Sequence, residues 1–185
     1  MTDTLTDLPG FKAGTWVLDP SHSDVRFTVR HMMISKVRGT FAVKSATLTA
    51  PENPLATSLT ASADVASIDT GDAGRDEHLR SADFFDVEKF PTVDFVSSGV
   101  RYAGGDFFVD GDLSMHGVTK AVTFEVEFGG FGADPFGNYK AGATATTVVD
   151  REEFGLTWNA ALETGGVLVG KDVTITLDLQ FALQA

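Results

Sequence analysis

Residues 172–183, DVTITLDLQFAL, place Val173, Ile175, Leu177, Leu179, Phe181 and Leu183 on one parity, and Thr174, Thr176, Asp178 and Gln180 on the other. Side chains change face at every residue of a β-strand, so this segment is a strand with one dry and one wet face. The same period runs through DVRFTVRH, where Val25, Phe27, Val29 and His31 oppose Asp24, Arg26, Thr28 and Arg30. It returns in VTFEVEF, where Val122, Phe124, Val126 and Phe128 oppose Thr123, Glu125 and Glu127. Further strands are expected at 15–19, 37–49, 58–68, 92–100, 106–115 and 140–149. Turn signals separate them: Asp19-Pro20, the Pro51–Pro54 loop, Gly104-Gly105, Gly129-Gly130 and Asp134-Pro135. With 15–31 read as one strand broken at Pro20, the count is about eight. Antiparallel strands with one dry face and no βαβ alternation form a sandwich or a closed up-and-down barrel.

One stretch breaks the period. Residues 72–83 follow SIDTGD, a helix N-cap region, and read as a short helix between strands, placed to cover a barrel end. This helix carries Arg75, Asp76, His78 and Arg80. Arg75 with His78, or Asp76 with Arg80, can be neighbours on it. Two uses are open: ion pairing that locks the helix to the strands, or Arg80 and His78 at a cavity mouth holding an oxygen-rich head group. Residues 1–14 are read as a flexible lead-in and 15–185 as a single domain. The longest irregular connection, 151–171, is rich in glycine.

A net charge of −12 with no Lys/Arg run means that nucleic acid and anionic lipid surfaces would both be repelled, which sets aside charge-driven binding to either. The absence of cysteine excludes disulfides and thiolate chemistry. The four histidines show no H-x-H or HExxH spacing, so no metal is expected. His22 and His116 read as turn residues. No G-x-S-x-G elbow or phosphate-binding glycine loop is present, and no cofactor is expected. MTDTLTDLPGFKAG lacks the basic and apolar regions of a secretory leader, and no later run is long and apolar enough for stable membrane insertion. The chain is therefore expected in the cytoplasm, or exported if a leader has been removed.

The distinctive feature is the apolar interior. Fifteen phenylalanines stand against two tyrosines and two tryptophans, so the aromatic surface mostly lacks a polar handle. Gly39, Ala61, Ala63, Ala141, Ala143 and Ala145 are small residues at inward parities. An eight-stranded barrel is either filled by its side chains or holds one small ligand, and this mixture is compatible with both. His31 shares the inward face of Phe27. It is either a core histidine bonded to a carbonyl or a polar contact for a ligand.

Several motifs, in order, resemble those of the YceI-like family: WVLDPSHSDVRFTVRHMMISKVRGTF, ASIDTGDAGRDEHLRSADFFDVEKFPTVDF, VDGDLSMHGVTKAVTFEVEF and REEFGLTW. The resemblance implies a lipocalin-like antiparallel barrel with a helix near one end. It also implies binding of a long isoprenoid-type lipid or quinone inside, frequently as a homodimer. On that reading the apolar liners are Phe27, Val29, Phe41, Val43, Phe95, Leu113, Met115, Phe124, Leu156 and Trp158. Phe84 and Phe85 line or seal one end, and polar contacts come from His31, Arg80, His78 and Arg151. The function expected is non-enzymatic transport or storage. Its alternatives are an enzyme using His31 and His78 as acid and base, and a filled barrel serving as an interaction module.

Overall fold

The computed structural model describes Leu5 and residues 7–185. Among the described residues nine strands run in chain order: β1 (Gly14–Leu18), β2 (Asp24–His31), β3 (Ser35–Ala50), β4 (Ser58–Asp69), β5 (Thr92–Ala103), β6 (Asp106–Met115), β7 (Val118–Ala133), β8 (Tyr139–Asp150) and β9 (Val169–Leu183). The α-helix among the described residues is α1 (Ala73–Arg80), between β4 and β5. All neighbouring strands are antiparallel, and β3 pairs with β4 as well as with β2, so the sheet closes into a barrel.

Nine strands make eight staves because β1 and β2 lie end to end between β3 and β9. Val17 sits opposite Thr47 and Ala182, and Val25 opposite Phe41 and Leu177. The break is the expected one at Pro20. Asp19 caps a 3-10 turn over Pro20–His22 by accepting from the Ser21 N–H at 3.0 Å, and it takes the Lys140 ammonium at 2.7 Å. Closure leaves no sheet edge open to another chain.

Gly129-Gly130, expected as a turn, instead lies inside β7. The register jumps there, from Phe128 opposite Ala143 to Gly130 opposite Gly142. Gly130 has φ +112, and a Cβ on Gly129 would stand 3.2 Å from the Gly142 carbonyl, so glycine permits a bulge rather than a reversal. An extra residue flips parity. Phe128 before the bulge and Phe131 after it therefore both face inward. The irregularity at Ser97–Gly99 in β5 does the same for Phe95 and Val100. The true reversals are tight: Met115 pairs with Val118, and His116 and Gly117 between them have φ +54 and +74. That is the primed hairpin geometry, and it confirms His116 as a turn residue.

The barrel has unlike ends. At one end, α1, the segment 81–91 and a 3-10 turn (Arg151–Phe154) fold over the lumen, and Phe95, Leu113, Met115, Phe124, Val149, Phe154 and Leu156 form a buried cluster beneath them. At the other end, Trp16, Ala50, Phe181 and their neighbours form a second cluster, with Phe11, Phe131 and Tyr139 packed on it. Of the expected lead-in, residues 1–4 and 6 lie outside the described residues. The part that is described is seated on this second end. The Tyr139 hydroxyl donates to the Gly10 carbonyl at 2.6 Å, the Trp16 indole donates to the Lys12 carbonyl at 3.2 Å, and Lys12 lies over the Tyr139 ring.

Candidate ligand cavity

The side chains do not fill the lumen. Between the two clusters they leave a cavity of about 300 Å³ that reaches the second end. This is the lower end of the range for small-molecule sites. The filled-barrel expectation therefore fails. The reason is the set of small inward residues: Ala61, Ala63, Ala141, Ala143 and Ala145 line the cavity on β4 and β8, opposite the larger residues of the other staves. Gly39 serves differently, as a floor for the ring of Phe27. A Cβ there would lie 2.3 Å from Phe27 Cζ.

Of the predicted liners, Phe27, Phe41, Val43, Phe95, Leu113, Met115 and Phe124 line the cavity. The wall is almost entirely carbon. Its few polar members are engaged elsewhere or peripheral: Arg26 pairs with Asp24 at 3.2 Å and with Asp178, and Asp94 accepts from the Thr92 hydroxyl at 2.7 Å. Leu8, Phe11, Pro54, Thr57, Val100, Phe107 and Phe131 form the mouth. Sequence reasoning missed these. Val100 and Phe131 are hidden by parity-shifting bulges, and Leu8 and Phe11 precede any periodic segment.

The other predicted residues stand away from the cavity, at the covered end. Arg80 donates from Nε to the Ala66 carbonyl at 2.9 Å and from Nη2 to the Ile68 carbonyl at 3.0 Å, stapling α1 to β4. Asp76 is buried and accepts from the Thr70 N–H at 2.9 Å and hydroxyl at 2.5 Å, while Arg75 donates to the Thr70 hydroxyl at 2.7 Å and carbonyl at 2.9 Å. The helix is locked, then, through the strand backbone rather than by pairs along its own face. Free carbonyls beside a helix recruit guanidinium donors more strongly than an exposed ion pair would.

His78 meets Asp83 at 2.9 Å and sits edge-on to Phe84 and Trp158, with ring centroids 5.1 and 4.8 Å away. Phe85 packs edge-on to Phe41 at 5.7 Å, and Leu156 is buried in the covering cluster. Phe84 and Phe85 thus seal the end and do not line the cavity. Val29 is half-buried opposite Val37 and Val173, and His31 is half-buried at the last position of β2, beyond the cavity floor.

Arg151 is 4 % exposed, and its guanidinium goes wholly to backbone. It donates to Gly170 O at 2.8 Å, Leu156 O, Trp158 O at 3.1 Å and Val169 O at 3.3 Å. It organises the 151–171 connection, with four of its five N–H donors given to backbone carbonyls rather than to a head group. Burial pulls its pKa below the ordinary arginine value, against the opposing fields of Glu152 and Asp150. The His116 ring donates from Nδ1 to Phe154 O at 3.0 Å, tying the 3-10 turn to the β6–β7 reversal. No group of three or more His, Asp or Glu among the described residues can hold a metal ion.

The fold is shared with known proteins. The chain matches the YceI-like domain over residues 16–181. It belongs to the YceI-like family. Curated relatives include a UPF0312 protein of Staphylococcus aureus strain USA300, 36% identical over 170 residues that make up 91% of this chain and 97% of the relative. Among solved structures, the YceI-like chain is similar to Burkholderia cenocepacia BcnA. The TM-score there is 0.76 at 26% identity, covering 88% of this chain and 98% of that one. A polyisoprenoid-binding domain from Saccharophagus degradans, implicated in plant cell wall breakdown, has the same fold. Its TM-score is 0.68 at 15% identity, with 94% of this chain and all of that one covered.

Proposed function

We propose that this chain is a non-enzymatic carrier that houses the tail of a long isoprenoid-type lipid or isoprenoid quinone in its lumen. The observation behind the reading is the carbon-walled cavity of about 300 Å³, which reaches the surface at one end and is covered at the other. Each methylene moved from water into such a wall contributes about 0.8 kcal/mol, so a five-carbon isoprene unit contributes roughly 4 kcal/mol. The charged groups along the wall, Arg26 and Asp94, already have partners, so affinity comes from the tail and the head remains at the mouth. A bilayer offers the same tail burial. Selectivity between the two then rests on the lumen's shape. The acid–base alternative loses its geometry, because His31 and His78 do not line the cavity.

The test is organic extraction of purified protein followed by mass spectrometry, with titration of a polyprenyl probe into the extracted protein. The expected result is an isoprenoid compound in near-stoichiometric amount and saturable rebinding. Recovery of no apolar compound together with no probe binding defeats the proposal. Recovery of a chemically altered probe would favour an enzyme. A homodimer is part of the same proposal, and native mass spectrometry of the sample weighs it.

A further inference from the structure

Although the chain carries a net charge of −12, one surface gathers cations and greasy residues together. The β2–β3 reversal exposes Met32, Met33 and Ile34 by 43%, 52% and 81%, and Val167 of the adjoining segment is 38% exposed. These belong together: the Met32 N–H donates to Leu168 O at 2.7 Å, and Gly166 lies against Met33. Exposed Arg30, Lys36 and Arg38 flank the tip, and none has a carboxylate within salt-bridge distance among the described residues. Arg30 stands directly opposite Lys36 across the ladder, a like-charge pairing that costs stability. Glu163 is the one acidic residue of the adjoining segment 159–168, and Asp172 lies in the part of β9 that runs beside Arg30.

We infer that this hairpin docks the protein on an anionic lipid bilayer, Met32, Met33 and Ile34 entering the headgroup region while Arg30, Lys36 and Arg38 meet lipid phosphates. The opposing net charge does not prevent this. At physiological ionic strength the screening length is about 8 Å, so a bilayer touching the tip feels the local cations more than distant carboxylates. Shallow insertion of an apolar tip ringed by cations is the usual physics of peripheral attachment. The cavity mouth lies at the other end of the barrel, so docking here leaves it unobstructed.

The experiment is flotation of the whole chain with vesicles of phosphatidylcholine alone and of phosphatidylcholine with about a third phosphatidylglycerol. Two variants accompany it. Met32→Asn with Met33→Gly and Ile34→Ser removes the apolar tip but suits a turn whose central residues have φ +52 and +63. Arg30→Gln with Lys36→Gln and Arg38→Gln removes the charge. Thermal melting identifies any variant that has lost its fold. Such a variant is replaced by the single substitution Ile34→Ser or Lys36→Gln. The wild type is expected to float with anionic vesicles only, and to be released by high salt. The charge variant is expected to partition about a hundredfold less, at roughly fivefold per cation, and the tip variant to lose binding as well. Failure of the wild type to float, equal flotation with both vesicle types, or unimpaired variants would each overturn the inference. So would a dimer that dissociates in the tip variant without any vesicle binding, since the partner would then be a second copy.

Discussion

Gly39→Ala tests whether a ring resting on the wall keeps the lumen open. Gly39 pairs with Phe27 across β2 and β3, and an added Cβ would fall 2.3 Å from Phe27 Cζ, 2.5 Å from Cε1 and 2.9 Å from Thr70 Cγ2. Carbon atoms rest at about 3.5–4.0 Å, so the ring edge must retreat by roughly 1.2–1.7 Å. Phe41 already contacts the ring on one side, at 5.4 Å between centroids, and the cavity lies on another. The yielding direction is inward, into the cavity. Overpacking of this kind costs about 1–3 kcal/mol, which for a chain of this size lowers Tm by about 2–12 °C. A lumen narrowed by the room of one or two methylenes loses about 0.8–1.6 kcal/mol of tail burial, or about 4- to 15-fold in Kd. The assay is displacement of a fluorescent apolar probe by polyprenyl compounds of increasing length. The loss should appear for chains long enough to reach Phe27 and be absent for shorter ones. Adding Phe27→Leu should restore affinity. Equal affinity of wild type and variant at every chain length would refute the reasoning, as would a loss that ignores length.

Arg151→Ala takes a donor from the carbonyls of Leu156, Trp158 and Gly170, while Val169 O keeps the Asn159 amide, so a stability loss of about 3 kcal/mol or more by chemical denaturation is expected, with the 151–171 connection losing hydrogen-exchange protection first. Asp110 is held down to about 2 by Arg101, then Thr123, and Asp19 is held further down, first by Lys140. Both folded-state values lie below the unfolded carboxylate, so their stabilisation is complete above about pH 4 and declines below it, Asp110's being lost as pH falls through 2 and Asp19's at still lower pH. Asp19→Asn should lower Tm at pH 7 and flatten the acid limb, which melting across pH 2–7 measures. Leu8→Ala with Phe11→Ala thins the mouth, so stopped-flow probe release should quicken severalfold, and Tm should fall because Phe11 packs on the second cluster.

The barrel was readable because each stave repeats a period of two, and the small alanines at 61, 63, 141, 143 and 145 marked where the interior would be thin. What resisted reading follows from two physical causes. A bulge costs one residue yet reverses every face beyond it, so Val100 and Phe131 carry no mark of inwardness in the sequence. Nor does residue type reveal what a cation bonds to. Arg80 and Arg151 invite a head-group reading, but they serve carbonyls that come into place only when β4, the 3-10 turn and β9 assemble. His31 keeps the parity of Phe27 but lies past the floor, since period fixes the face of a strand and not the depth along it.

The seam where Trp16 meets Leu183 and Val25 meets Leu177 joins the first strands made to the last. On the ribosome, β2 and β8 therefore wait with bare edges until the C-terminal fifteen residues of β9 emerge to bridge them. A chain stopped short of Val169 would be an open, sticky ribbon with an uncovered greasy face.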